Sequence, residues 1–144
     1  MSELFTSAEQ MQKATNYNQW TFELFREYIQ GDVLEVGCGV GSFTKLIDDH
    51  GKFDSLYSID ISKSAIEFIQ KKEFKNKIKI ECIDLINTEG SYDFILCMNV
   101  MEHVEDDRNF FRKILSLLKK DGVLFLLVPS HKFLYSNFDK AAGH

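Results

Sequence analysis

Val33-Leu34-Glu35-Val36-Gly37-Cys38-Gly39-Val40-Gly41-Ser42 changes character twice within a short span. Val33, Leu34 and Val36 are branched and apolar, as in a strand buried on both faces of a parallel sheet. Gly37, Gly39 and Gly41 then alternate. Glycine lets a backbone bend sharply and lets a ligand approach closer than any Cβ would allow. Phe43, Leu46 and Ile47 follow at helical spacing, so a helix N-terminus with its free N–H groups lies at the turn. Strand, glycine turn, helix is how a doubly wound α/β fold presents a nucleotide-like ligand at the carboxyl ends of its strands. Dinucleotide-binding turns read G-x-G-x-x-G. Here the spacing is G-x-G-x-G, and Ser42 takes the place of the third dinucleotide glycine.

The chain on either side fits the same architecture. Ser2 to Asn16 is polar and reads as a helix or arm. Tyr17, Trp20, Leu24 and Tyr28 mark one helical face, stopped by Gly31, and this helix should cover the sheet. After the glycine turn, His50-Gly51 closes the helix. Ser55 to Ile59 forms a second strand ending at Asp60, and Ser62 caps a helix marked by Ala65, Ile66 and Ile69. Ile78 to Ile83 is a third strand ending at Asp84, and Tyr92 to Met98 is a fourth, followed by a loop over Asn99 to Asp107. Phe110, Ile114, Leu117 and Leu118 mark an amphipathic helix stopped by Asp121-Gly122. Val123 to Val128 is a fifth strand, ended by Pro129. Strands alternating with helices make a parallel sheet with right-handed crossovers. The expected organisation is one domain over 1–144, with a helical arm at 1–30, a core at 31–130 and a tail at 131–144.

Composition narrows the function classes. The 144 residues suffice for one domain with a core, and 44% apolar with 27% charged residues reads as soluble and globular. No apolar run approaches the roughly 20 residues of a membrane span. Met1 to Gln10 carries two acids and no basic residue, unlike a secretory signal. Cys38, Cys82 and Cys97 are odd in number with no C-x-x-C, so they read as small buried thiols in a reducing cytoplasm. A net charge of −5 disfavours nucleic acid as a partner. Lys71, Lys72, Lys75, Lys77 and Lys79 cluster, and read as a solvated helix end and loop.

With Glu35 two residues ahead, the glycine turn resembles motif I of the class I S-adenosylmethionine-dependent methyltransferases, E/D-x-G-x-G-x-G. The resemblance runs from about Asn16 to the C-terminus. It implies a Rossmann-like sheet of strand order 3-2-1-4-5, with S-adenosyl-L-methionine as cofactor held over Gly37, Cys38, Gly39 and Gly41. It implies that Glu35 acts behind the cofactor or near its amino group. Asp60 lies 19 residues after Gly41; an acid there can accept both ribose hydroxyls, with Ile61 beside it, although a strand-end Asp is also a common helix-entry residue. In the family, the position of Asp84 faces the adenine amino group and that of Leu85 packs on the ring; a simple turn acid would look the same. Strand 4 ends in Cys97-Met98-Asn99, so Met98 and Asn99 take the place of family residues that contact the methionine part. Asn16-Tyr17-Asn18-Gln19-Trp20 resembles a segment whose aromatics wall the cofactor pocket; Tyr17 and Trp20 could equally be core.

Met101-Glu102-His103 resembles the E-x-x-E-H pattern of the ubiquinone-biosynthesis O-methyltransferases, which can hold a divalent metal. Here Asn99 replaces the first acid. One carboxylate and one imidazole are too few for Mg²⁺, so no metal is expected. His103 is the candidate general base near the acceptor, an imidazole being suited to proton transfer at neutral pH; a histidine bonded to the loop backbone is the competing reading. The tail, Leu134-Tyr135 through Asp139 to Gly143-His144, resembles the family's segment after strand 5, which normally continues into two more strands. The chain is therefore expected to be an N-terminal portion lacking them. The fifth strand would be an open apolar edge, covered by the tail or paired with a second molecule as a homodimer. The expected activity is methyl transfer to an O, N or C nucleophile of a small molecule. A noncatalytic cofactor-binding module and a nicotinamide-dependent oxidoreductase are the alternatives.

Overall fold

The computed structural model describes residues 14–128. Five parallel strands form one sheet in the order β3-β2-β1-β4-β5, as expected. They are β1 (Asp32–Val36), β2 (Ser55–Asp60), β3 (Lys79–Cys82), β4 (Tyr92–Met98) and β5 (Leu118–Leu127). Among the described residues four helices connect or precede them: α1 (Thr15–Phe25), α2 (Ser42–His50), α3 (Lys63–Ile69) and α4 (Asp107–Leu117). Short 3₁₀ turns at Arg26–Tyr28, Leu85–Asn87 and Met101–His103 complete the path. Residues 1–13 and 129–144, which include Pro129 and the tail at 131–144, lie outside the described residues.

Apolar layers cover both sheet faces. On one, Phe22, Phe25 and Ile29 pack with Ile47 of α2 on Val33, Leu56, Phe94 and Leu96. On the other, Phe110, Ile114 and Leu117 of α4 pack on Leu34, Val36, Tyr57 and Ile95. β1 is buried from Val33 to Val36, which is why, Glu35 apart, it is apolar on both faces rather than alternating. Ser62 caps α3 as expected, its hydroxyl accepting from Ala65 N–H at 3.3 Å.

The structure corrects several local expectations. In α1 the inward face is Asn18, Thr21, Phe22 and Phe25; Tyr17, Trp20, Leu24 and Tyr28 point outward. Both sets have helical spacing, and tertiary packing chose the one carrying two phenylalanines. Cys82 is exposed, whereas Cys38 and Cys97 are buried. β3, an edge strand paired only with β2, runs over Lys79–Cys82 and is shorter than the expected Ile78 to Ile83. The last helix stops at Leu117 rather than at Asp121-Gly122, and Leu118 already belongs to β5. The pairing of β5 slips there: Tyr92 faces Leu118, but Phe94 faces Val123, a bulge that bends the strand. The slip lets Lys119 reach Asp93 at 2.7 Å and Asp32 at 3.0 Å. It also needs Gly122, where a Cβ would come within 3.0 Å of the Tyr92 carbonyl oxygen.

Candidate functional site

The turn after β1 is held from below. Gly37 N–H and Cys38 N–H both donate to the Ile59 carbonyl, at 2.9 and 3.0 Å, and Gly41 N–H closes the turn on the Cys38 carbonyl at 2.9 Å. Asp60, at the end of β2, accepts from Gly39 N–H and from Ser62 N–H, each at 2.8 Å. All three glycines have left-handed backbones, with φ of +76°, +51° and +81°, a region costly for other residues. Their surroundings differ. A Cβ at Gly37 would lie 2.2 Å from Val100 Cγ2, and one at Gly41 2.4 Å from Ile69 Cδ1. A Cβ at Gly39 would meet nothing within 4 Å. Two glycines therefore serve internal packing, and Gly39 presents bare backbone to open space. Gly41 is also the N-cap of α2, with no side-chain cap.

That space is a cavity of about 180 Å³ at the carboxyl ends of β1 and β4. It is smaller than the roughly 300 Å³ at which pockets for whole drug-sized ligands begin, so it would hold part of such a ligand. Of the residues singled out in the sequence, Glu35, Gly37, Cys38, Gly39, Met98 and Asn99 line it. Asn18, Val36, Val40, Ser42, Phe43 and Leu96 complete the wall. Asn99 is the one non-glycine residue among those described with positive φ, +52°, and its N–H donates to the Leu127 carbonyl at 2.8 Å. Such an outlier costs energy that the surrounding structure must offset, and marks functional rims.

Glu35 is 3% exposed. Its Oε2 accepts from Thr44 Oγ1 at 2.6 Å and Ser58 Oγ at 2.7 Å. Burial pushes its pKa up to about 7; the Thr44 and Ser58 hydroxyls pull it down, and the Asp60 charge raises it. Burial also raises the Cys38 thiol far above its usual range, and the Cys97 thiol to about 12. Both stay protonated at neutral pH, so neither is a nucleophile.

The other expected residues lie around or away from this cavity. Asp60 grips Gly39 from outside the wall. Ile61 beside it is 75% exposed. Asp84 caps the following 3₁₀ turn, its Oδ1 accepting from Ile86 N–H at 3.0 Å, while Leu85 is buried in the core under α4. Tyr17 and Trp20 are 46% and 61% exposed and pack on each other at 6.2 Å. His103 is exposed, on the 3₁₀ turn after Val100. Among the described residues no cluster of three or more metal-ligating side chains occurs. Asn18 was missed as a wall residue. It sits inside the quoted Asn16–Trp20 segment, and its signal is its place on the Thr21/Phe22/Phe25 stripe.

Residues 8–141 match a family described as a methyltransferase domain. The chain belongs to that family. It is 34% identical over 98 residues to the ubiquinone biosynthesis O-methyltransferase of Pelagibacter ubique, a match covering 65% of this chain and 40% of that protein. It is 30% identical over 102 residues to the malonyl-[acyl-carrier protein] O-methyltransferase of Acetivibrio thermocellus, covering 69% of this chain and 36% of that one. The methyltransferase domain thus spans less than half the length of these relatives. Its fold is shared by the magnesium protoporphyrin IX methyltransferase of Synechocystis, solved with bound S-adenosylhomocysteine (TM-score 0.68, 23% identity, 86% of this chain and 58% of that one). It is shared too by an S-adenosylmethionine-dependent methyltransferase of Clostridium acetobutylicum (TM-score 0.63, 21% identity, 76% and 48%). No helix of this methyltransferase domain, among the described residues, is long and apolar enough to cross a membrane.

Proposed function

We propose that the chain binds S-adenosyl-L-methionine across the glycine turn and moves its methyl group to an O, N or C nucleophile of a small molecule. The observation that carries this reading is Gly39: a left-handed residue whose missing side chain opens onto the cavity, at the one place where a family cofactor must approach backbone. When bound, the cofactor supplies an electrophilic methyl group; the chemistry is its own.

The chain's part is to bind, orient and exclude water. The cavity beside Glu35, Met98 and Asn99 suits the amino-acid end of the cofactor, being polar at its edge and too small for the whole. Asp60 suits the ribose. Its two oxygens each accept one backbone N–H, and a carboxylate has about four acceptor sites, so capacity for two hydroxyls is left. Ile61, exposed beside Asp60, and the exposed Asp84 just past the end of β3 suit the adenine side, whereas Leu85 is buried in the core and does not reach it. Phe43, Leu96 and Val36 give the cavity dry walls. Alignment of this kind supplies about 7–11 kcal/mol in favourable cases. His103 is the group we assign to proton acceptance where the acceptor requires it, because it is exposed on the turn that leaves the Asn99 rim.

The test is calorimetry with S-adenosylhomocysteine and NAD. Binding of the first and not the second, weakened at least tenfold by Asp60→Ala, supports the reading. No heat with S-adenosylhomocysteine, or equal binding of NAD, overturns it. Binding without methyl transfer to any small nucleophile would leave a cofactor-binding module instead.

A further inference from the structure

Two apolar surfaces of this chain lie open side by side. The first is the outer edge of β5. Among the described residues β5 pairs with β4 alone. Val123 to Leu127 are half-buried and Val128 is exposed. Natural sheet edges are blunted by charge, proline or short length. This one runs for 10 residues, and its charges, Lys119, Lys120 and Asp121, all lie within the bulge. From Val123 to Val128 there are none.

The second surface is a flank of α1 and of the 3₁₀ turn after it. Tyr17, Trp20, Leu24 and Tyr28 are between 46% and 61% exposed. Ring contacts fix where they point. His50 of α2 lies against Phe22 at 6.1 Å. At about 100° per residue, Tyr17, Leu24 and Tyr28 fall on the flank away from α2, with Trp20 beside them. Phe25, on the face between, reaches Phe94 of β4 and Phe125 of β5. α1 thus sits over β4 and turns its aromatic flank toward the β5 edge.

We propose that this joined surface is the contact between two copies of the chain, related by a two-fold axis normal to the sheet at Phe125. Antiparallel pairing of β5 with its copy makes one continuous sheet. The Leu127 carbonyl accepts from Asn99 N–H, beside β4, at 2.8 Å. By strand alternation Leu124 and Leu126 then turn their N–H and C=O groups outward. The axis sets Leu124 opposite Leu126 of the second copy as a hydrogen-bonded pair, and Val123 opposite Leu127. Side chains in each pair share a face, as antiparallel pairing requires.

The same axis keeps both α1 helices on one face of the sheet and runs them antiparallel. They stand three strand spacings apart, about 14 Å, wider than the about 8–10 Å of ordinary helix packing. Small side chains would leave a gap there; tyrosine, tryptophan and leucine from both copies fill it. The stripe is close to its own reverse, which a two-fold contact needs: Tyr17 meets Tyr28 of the second copy, and Trp20 meets Leu24. These four side chains offer on the order of 400 Å² per copy, short of the about 800 Å² of a standard interface. The β5 edge beside them supplies main-chain hydrogen bonds and further apolar area. The two cavities open at opposite ends of the joined sheet, so both stay accessible, and nothing in the contact depends on what they bind.

Sedimentation velocity of the full 144-residue chain, from about 1 to about 100 μM, tests this together with hydrogen exchange at both ends of that range. A monomer–dimer equilibrium is expected, with the Leu124 and Leu126 amides better protected at the higher concentration. Trp20→Glu puts a charge into the dry contact from an exposed position. It should weaken the dimer about tenfold or more and leave the circular dichroism spectrum unchanged. Leu126→Pro removes an outward N–H and should act likewise; where it fails to fold, Trp20→Glu and the exchange data still decide. A monomer at every concentration overturns the proposal, and amides protected throughout would then mean that the chain's own tail covers the edge. A dimer that Trp20→Glu leaves intact also overturns it, because the α1 stripes then do not meet.

Discussion

Gly39 and Gly41 lie two residues apart with the same backbone handedness, and they answer to different constraints. At Gly41 an added methyl meets Ile69 Cδ1 at 2.4 Å; at Gly39 it meets nothing. Gly39→Ala should cost about 1–2 kcal/mol from the left-handed backbone alone. Gly41→Ala adds overpacking and should cost about 3 kcal/mol or more. Urea unfolding followed by circular dichroism separates the two. Calorimetry on the well-folded Gly39→Ala variant should then show lost S-adenosylhomocysteine binding, since its methyl fills the open side of the turn. The glycine spacing, Glu35 and Asp60 were legible residue by residue, because backbone chirality and strand-end position act locally. Asn18 was not: a polar residue on a helix reads as solvated until the packing shows which face turns inward.

Elements are joined by buried polar groups as well as by apolar ones. Asp48, near the end of α2, is buried and accepts from Lys75 N–H at 2.7 Å, Asn76 N–H at 3.0 Å and Asn76 Nδ2 at 2.9 Å. One carboxylate thereby fastens the segment that enters β3. Burial pushes its pKa up, but those N–H donors with Lys45 outweigh it, and the net shift is downward from 3.8. A lowered folded pKa means stabilisation that is complete above the ordinary value and lost as pH falls through the folded one. Asp48→Ala should cost about 3 kcal/mol at neutral pH, because three donors lose their acceptor. The gap between variant and parent in urea midpoint should close as the pH is lowered below about 4. A gap unchanged at acid pH would mean the carboxylate charge contributes nothing. None of this was visible in the chain order, since Asp48 and Asn76 meet only after a crossover. The end of α4 was misjudged for a similar reason: Asp121-Gly122 is a good local stop, but Lys119 gains two carboxylates by entering β5 early.

At the scale of the whole molecule, two features tie together elements far apart in the chain. One is a cluster of rings: Phe25 packs on Phe22, Phe43, Phe94 and Phe125 at centroid distances of 5.4, 6.0, 5.9 and 4.8 Å. It thus ties α1 to α2, β4 and β5. Phe25→Ala should destabilise the fold by about 3–5 kcal/mol, with one cooperative urea transition at a lower midpoint. Because Asn18 of α1 and Phe43 of α2 wall the cavity, the same variant should bind S-adenosylhomocysteine more weakly even where it is folded. The other is a charged staple at the amino ends of the strands. Lys119 of β5 bridges Asp93 of β4 and Asp32 of β1, and Asp32 accepts from Ser55 of β2 at 2.7 Å. These groups face solvent, so Lys119→Ala should cause a small loss of stability that shrinks as salt is raised toward about 1 M.

By itself the sequence determined the parallel α/β class, the order of strands and helices, and the glycine turn at the carboxyl edge. It did so because strand burial, helix periodicity and left-handed glycine are properties of short segments. Only the tertiary structure decided which face of α1 turns inward, which of the three glycines has open space where a Cβ would stand, and that Thr44 and Ser58 converge on Glu35. Those are relations between residues brought together from different strands and helices, and no local pattern encodes the distance between them.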